Sequence, residues 1–216
     1  MSKENLLMFW GWTRNDISYK GLIEKAPENW DVFTINFEEL VKSGWIEKLG
    51  ENVTSFLDEN NLERVNVMGH SMGGALALTY TYLHPERVKK LFLLDASGIY
   101  GNETISQLAM NFLRSHSQHG RKKGAENLKA IYRAVRRPIV HLKLARYAHQ
   151  IDLQEEASSI DTPTVLIWGE NDYLNPLWQG KRLHKIIKNS KLIVLPGMDH
   201  DWPLHAPELL WKNIGK

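Results

Sequence analysis

The sequence predicts an α/β fold with a mostly parallel, six-stranded sheet flanked by helices. Three observations carry that expectation. Short apolar runs alternate with segments of helical spacing, the pattern of strands and crossover helices around a parallel sheet. The runs are continuous rather than alternating, as in Leu6-Leu7-Met8-Phe9, Leu91-Phe92-Leu93-Leu94 and Thr164-Val165-Leu166-Ile167-Trp168. Strands covered on both faces read that way. A glycine-flanked turn, Gly69-His70-Ser71-Met72-Gly73-Gly74, joins one such run to a helix former's sequence rich in Ala and Leu. At 216 residues, the chain suits one core better than two.

Taken in order, Leu6–Phe9 form the first strand and Trp10–Asn15 a loop, with helical spacing over 20–27. Asp31–Phe37, rich in β-branched and aromatic residues, reads as the second strand. Residues 46–59 have helical spacing through Val53, Phe56 and Leu57 and lead to the strand around Val65–Met68. His84-Pro85-Glu86-Arg87 is a turn, and Leu91–Leu94 is the fourth strand, ending in Asp95-Ala96-Ser97-Gly98. The alternation then stops. Between Asn102 and Glu156 only helical segments are legible, so residues 1–102 and 157–216 form the core and 103–156 a helical lid inserted into it. Asp161-Thr162-Pro163 marks the return, followed by the strand Thr164–Trp168, a helix over 176–188 and the strand Lys191–Leu195. A last helix spans 207–214, with Pro207 near its start as helices allow.

The turn at 69–74 is a G-x-S-x-G pattern, with glycines where side chains would not fit. It holds Ser71 strained, with its hydroxyl above the strand ends and its neighbouring amides at a helix N-terminus. Gly69–Gly74 resembles the nucleophile elbow of the α/β-hydrolase family, in the GHSMGG form common among its small bacterial serine esterases. The resemblance covers residues 5–100 and 160–214; the block 103–156 lies outside it. It implies an α/β-hydrolase fold that opens at the family's third strand, without the usual N-terminal hairpin.

A serine hydroxyl at neutral pH is a poor nucleophile and needs a base. In this family the partners follow in the order Ser, acid, His, in loops at the C-terminal ends of later strands. Asp172, in Trp168-Gly169-Glu170-Asn171-Asp172, resembles the family's acid. Its expected role is to orient the imidazole and stabilise it when charged. Glu170 is expected to point away. His200, in Pro196-Gly197-Met198-Asp199-His200, resembles the terminal base, singled out from nine histidines by its place after the last strand and before Pro207-Glu208. His205 lies one turn too far, and His70 is expected to point away from the site. The oxyanion donors are expected to be the backbone N–H of Met72 and, by resemblance, that of Trp12.

Two departures from the family stand out. Its usual His-Gly pair in the first loop is Trp10-Gly11, and the Asp-x-x-Gly-x-Gly-x-Ser turn after the second strand is replaced by residues 36–44 of another sequence. We read the first as silent for backbone donors and the second as a changed pocket wall. Trp12, Trp168 and Trp202 fall near loops that should surround Ser71; Trp12 and Trp202 are candidates to bind the substrate, although buried tryptophan is as often plain core.

Composition narrows the classes. There is no cysteine, which excludes disulfides, thiol nucleophiles and thiolate metal sites. The expected chemistry needs no metal and no organic cofactor. The apolar run Leu6–Trp10 is too short for a signal peptide or a membrane span, so the cytoplasm is the expected location and the sequons at Asn52 and Asn102 carry no meaning. A net charge of +2 conceals a basic block, with ten Lys and Arg between Arg114 and Arg146 against Glu126 alone. It suits a solvated helical surface, an anionic small substrate, or docking of an acidic partner such as an acyl carrier protein. No motif supports nucleic-acid binding.

The leading expectation is a serine hydrolase (carboxylesterase type) that cleaves carboxylic esters or thioesters of small molecules through an acyl-enzyme. Other family members use the same triad for C–C bonds, lactones, N-terminal peptide bonds or lyase chemistry. A serine at the elbow argues against the haloalkane dehalogenases and epoxide hydrolases, which carry Asp there. The alternatives are a hydrolase-fold regulator that binds with little turnover, or an esterase specific for a carrier-protein-bound or anionic ester. A nucleotide-binding fold lacks its glycine-rich loop, since only Gly11 follows the first strand.

Overall fold

The computed structural model describes residues 3–11, 14–35, 48–99, 101, 107, 110–111, 114, 136 and 151–214. Six strands, β1 (Glu4–Phe9), β2 (Trp30–Thr34), β3 (Val65–His70), β4 (Val88–Leu94), β5 (Thr164–Gly169) and β6 (Ser190–Leu195), form one sheet in the order β2-β1-β3-β4-β5-β6. Every pairing in it is parallel. The helices among the described residues are α1 (Asp16–Glu24), α2 (Leu49–Glu59), α3 (Met72–Leu83), α4 (Gln154–Ser158), α5 (Leu177–Ile186), α6 (Trp202–His205) and α7 (Pro207–Ile214). None of them is long and apolar enough to cross a membrane.

Successive side chains of a strand point to opposite faces, and here each face meets its own core. Leu7, Phe9, Val65 and Val67 join the cluster beneath α2, α3, α4 and α5. Leu6, Met8 and Met68 join the cluster with Tyr19, Trp202 and Trp211, from α1, α6 and α7. Both faces are covered at the centre of the sheet, which is why Leu6–Phe9 and Leu91–Leu94 read as unbroken apolar runs. Helix α3 runs apolar on almost every side and is buried from Met72 to Thr81. In α2 only Leu49, Val53 and Leu57, spaced along one face, are buried with Gly50.

Some boundaries differ from expectation. Helix α1 starts at Asp16 because Asn15 caps it, its side chain accepting the N–H of Ser18 at 3.2 Å, and it ends ahead of Pro27. The second strand is Trp30–Thr34; residues 36–44 lie outside the described residues. So does most of the expected lid at 103–156. Ile151, Leu153 and Ala157 are buried in the first cluster.

The sheet order places the site. The chain leaves β1 for β2 on one side and returns to β3 on the other, so the direction of winding switches between β1 and β3. In open α/β sheets the loops at the C-terminal strand ends diverge at such a point, where these folds place their sites. Gly11, just after β1, and Ser71, just after β3, are neighbours there, a Cβ on Gly11 lying 3.4 Å from Ser71 Cβ.

Candidate active site

Ser71 occupies the turn between β3 and α3 with φ 56° and ψ −125°, a conformation that costs a non-glycine residue of order 1–3 kcal/mol. Packing enforces it. A Cβ on Gly69 would come within 2.1 Å of the Gly73 carbonyl oxygen, so the strand and the first helical turn cross in contact. The Ser71 N–H donates to the Leu94 carbonyl at 3.0 Å, and the Ser71 carbonyl accepts from Gly74 at 2.9 Å and Ser97 at 2.9 Å. Both sides of the turn are thereby tied to the end of β4.

The Ser71 hydroxyl lies 2.9 Å from His200 Nε2, and His200 Nδ1 lies 2.7 Å from Asp172 Oδ2. Asp172 follows β5 and has a fully buried side chain. Its other oxygen accepts the backbone N–H groups of Leu174 at 2.7 Å and Asn175 at 2.9 Å, which fix the carboxylate independently of the histidine. His200 follows β6. Burial pulls its pKa down, but the charge and hydrogen bond of Asp172, with Asp201 and Asp199 behind them, raise it above the ordinary imidazole value. The three groups form a hydrogen-bonded chain that ends on a serine at a strained turn.

The sequence signature of the family described as "alpha/beta hydrolase fold" matches residues 45–118. The "Uncharacterized hydrolase YugF" of Bacillus subtilis is 26% identical over 250 residues, covering 98% of this chain and 89% of that protein. A 2-hydroxy-6-oxononadienedioate/2-hydroxy-6-oxononatrienedioate hydrolase of Cupriavidus pinatubonensis is 27% identical over 176 residues, which span 70% of this chain and 61% of that relative. Among solved structures, an esterase from Exiguobacterium antarcticum superposes with a TM-score of 0.78 at 16% identity, over 99% of this chain and 91% of the esterase. The chain has the α/β-hydrolase fold.

Within this α/β-hydrolase fold, Met72 is the first residue of α3, so its N–H is one of the first-turn amides that no intrahelical carbonyl can take. Trp12, expected to give the second oxyanion donor and to contact substrate, lies outside the described residues. Trp202 does not fit the substrate-binding role expected of it. It is fully buried and its indole N–H donates to Asp95 Oδ2, which leaves no surface to offer a ligand. Trp168 is likewise core, donating to the Asn175 carbonyl at 2.8 Å. Glu170 accepts the Gly197 N–H at 2.9 Å and faces solvent, and His205 pairs with Asp199 at 2.8 Å, away from Ser71.

Two parts of the candidate site were not anticipated. Asp95, at the end of β4, is fully buried with φ 41°. Its carboxyl accepts the Gly169 N–H at 2.8 Å and the Trp202 indole and stands against the Asp172 carboxyl. Burial first, and then the charge of Asp172, push its pKa well above its ordinary value, a shift toward the protonated form that spares the pocket two adjacent charges. An acid placed directly after the apolar run Leu91–Leu94 was the available signal. His70 is the other: it does not point away but lies under His200, the two ring centroids 5.0 Å apart.

Proposed function

We propose that the chain is a serine hydrolase that cleaves carboxylic esters or thioesters through an acyl-enzyme intermediate. The observation that carries this reading is the hydrogen-bonded chain Ser71–His200–Asp172 on a strained elbow at the winding switch of the sheet. His200 Nε2 takes the hydroxyl proton as Ser71 Oγ attacks the carbonyl carbon, and Asp172 holds the imidazole and balances the imidazolium that forms. The amides of Met72 and Trp12 receive the developing oxyanion. His200 then protonates the leaving group, and a water activated by the same nitrogen releases the acid and restores the serine.

A second reading is hydrolysis of a carbon–carbon bond. What favours it is the likeness to the 2-hydroxy-6-oxononadienedioate/2-hydroxy-6-oxononatrienedioate hydrolase. In either case the basic stretch Arg114–Arg146 supports a substrate that carries a carboxylate or is presented by an acidic carrier protein.

The test is hydrolysis of p-nitrophenyl acetate, butyrate and octanoate, and of a vinylogous 1,5-diketo acid, by the wild type and by Ser71→Ala, with fluorophosphonate labelling in parallel. Serine-dependent release of p-nitrophenol supports the esterase; serine-dependent loss of the diketo acid chromophore without ester turnover supports the second reading. A wild type that neither turns over nor takes the label overturns both and leaves a hydrolase-fold binding protein.

A further inference from the structure

The floor of the site is a second hydrogen-bond chain, separate from the one that ends on Ser71. His70 is the last residue of β3, on the same face of the sheet as Met68, and its ring is buried between Tyr19 of α1 and the loop that carries His200. His70 Nε2 lies 2.8 Å from the backbone carbonyl oxygen of His200. A carbonyl can only accept, so Nε2 carries the proton and Nδ1 of a neutral ring is left as an acceptor. Nδ1 lies 2.5 Å from the Tyr19 hydroxyl, which therefore donates to it. The phenolic oxygen is then free to accept, and the Gly11 N–H reaches it at 3.1 Å. Every hydrogen in this chain has its direction set by the carbonyl at one end and the amide at the other.

We propose that Tyr19 and His70 are positioning residues, a strap in which a neutral His70 of fixed tautomer ties the loop after β1 to the backbone of His200 and so holds the imidazole over Ser71. The inference rests on the hydrolase reading above. Four further observations support it. Trp10 stacks on Tyr19 with ring centroids 4.4 Å apart, which clamps the phenol in place. A Cβ on Gly11 would meet the Tyr19 hydroxyl at 3.1 Å, His70 Nδ1 at 3.3 Å and Ser71 Cβ at 3.4 Å, so the strap and the nucleophile converge on a position where an added methyl is tight. The groups facing His70 are Tyr19, His200, Asp201 and Arg14, and Arg14 pairs with Asp201 at 3.2 Å. That pair also joins the first loop to the His200 loop. Burial chiefly, with the neighbouring His200, lowers the His70 pKa to about 3, and burial raises that of Tyr19, so both groups keep the neutral forms that the chain requires.

The test uses full-length protein labelled with 15N in its histidines, as wild type and as Tyr19→Phe, His70→Leu and His70→Gln. The Gln amide reaches about where Nε2 sits and restores a donor to the His200 carbonyl. In the wild type, His70 is expected as the neutral Nε2–H tautomer without titrating between about pH 5 and 9. Acylation of Ser71 by a fluorophosphonate should fall about 10- to 100-fold in His70→Leu and about 10-fold in Tyr19→Phe, as a misplaced base predicts, and stay within about 3-fold in His70→Gln. The His200 Nδ1–H resonance should shift or broaden in the two slow variants while their circular dichroism stays native. A His70 in the Nδ1–H tautomer overturns the strap, as does one titrating near the ordinary value, or a His70→Leu enzyme acylated at the wild-type rate. A variant that fails to fold leaves Tyr19→Phe and the wild-type tautomer to decide. A wild type that never reacts overturns the hydrolase reading and this proposal together, whereas a reactive wild type with indifferent variants overturns the strap alone.

Discussion

The carboxyls of Asp95 and Asp172, at the ends of neighbouring strands, share one buried pocket. Two buried carboxylates side by side repel, and burial together with the charge of Asp172 shifts Asp95 toward its protonated form. The arrangement predicts what Asp95→Asn does. Both Asp95 oxygens accept an N–H, from Gly169 and from the Trp202 indole, whereas an amide offers one oxygen and turns an NH2 toward the other donor. A loss of about 1–3 kcal/mol is expected in urea unfolding, without a change in m. The folded pKa of Asp95 lies above the unfolded one, so its ionisation costs stability as pH rises from about 4, and the Asn variant should lack that part of the pH dependence.

Activity should follow the ionisation of His200. Only the neutral ring can take the serine proton, and its pKa is raised once the attraction of Asp172 outweighs burial. The rising limb of kcat/KM against pH should therefore have its midpoint above about 6.5. In Asp172→Asn burial remains and the attraction is gone, so the midpoint should move down while kcat falls about 10⁴-fold. Ser71→Ala should leave only the background rate.

His70 predicts acid lability. Its folded pKa of about 3 lies below that of the unfolded chain, so the unfolded state binds the extra proton. Its contribution is complete above about pH 6.5 and is lost toward about pH 3 at up to about 1.4 kcal/mol per pH unit. His200 works in the opposite sense, since a raised imidazole pKa adds stability that fades as pH rises through its folded value. Denaturant titrations at stepped pH should show a shallower acid slope for His70→Gln than for the wild type.

Two glycine substitutions should part company. Gly69→Ala drives a methyl into the Gly73 carbonyl, a backbone atom that cannot yield without opening the elbow, so folded protein should be lost or destabilised by more than about 4 kcal/mol. Gly21 is exposed in the middle of α1, with nothing within 4 Å of an added Cβ. Gly21→Ala should stabilise by about 0.5–1 kcal/mol, read as a rise in Tm with activity unchanged.

The sheet and the elbow were legible in the sequence because both are local. Continuous apolar runs such as Leu6–Phe9 and Leu91–Leu94 announce strands covered on two faces, and crossover helices between them leave few ways to order a parallel sheet. The glycines around Ser71 answer to contacts within a single turn. Helix α1 was misplaced because its start depends on one cap, Asn15, and not on periodicity. What tertiary structure alone decided is which polar groups meet. Asp95 and Asp172 are 77 positions apart in the chain, and Tyr19, His70 and His200 come from three separate elements. Trp202 could be read from the sequence as a pocket aromatic or as core, and it is buried with its indole donating to Asp95. A buried donor must find an acceptor wherever the fold supplies one, and that partner is set by packing in three dimensions rather than by spacing along the chain.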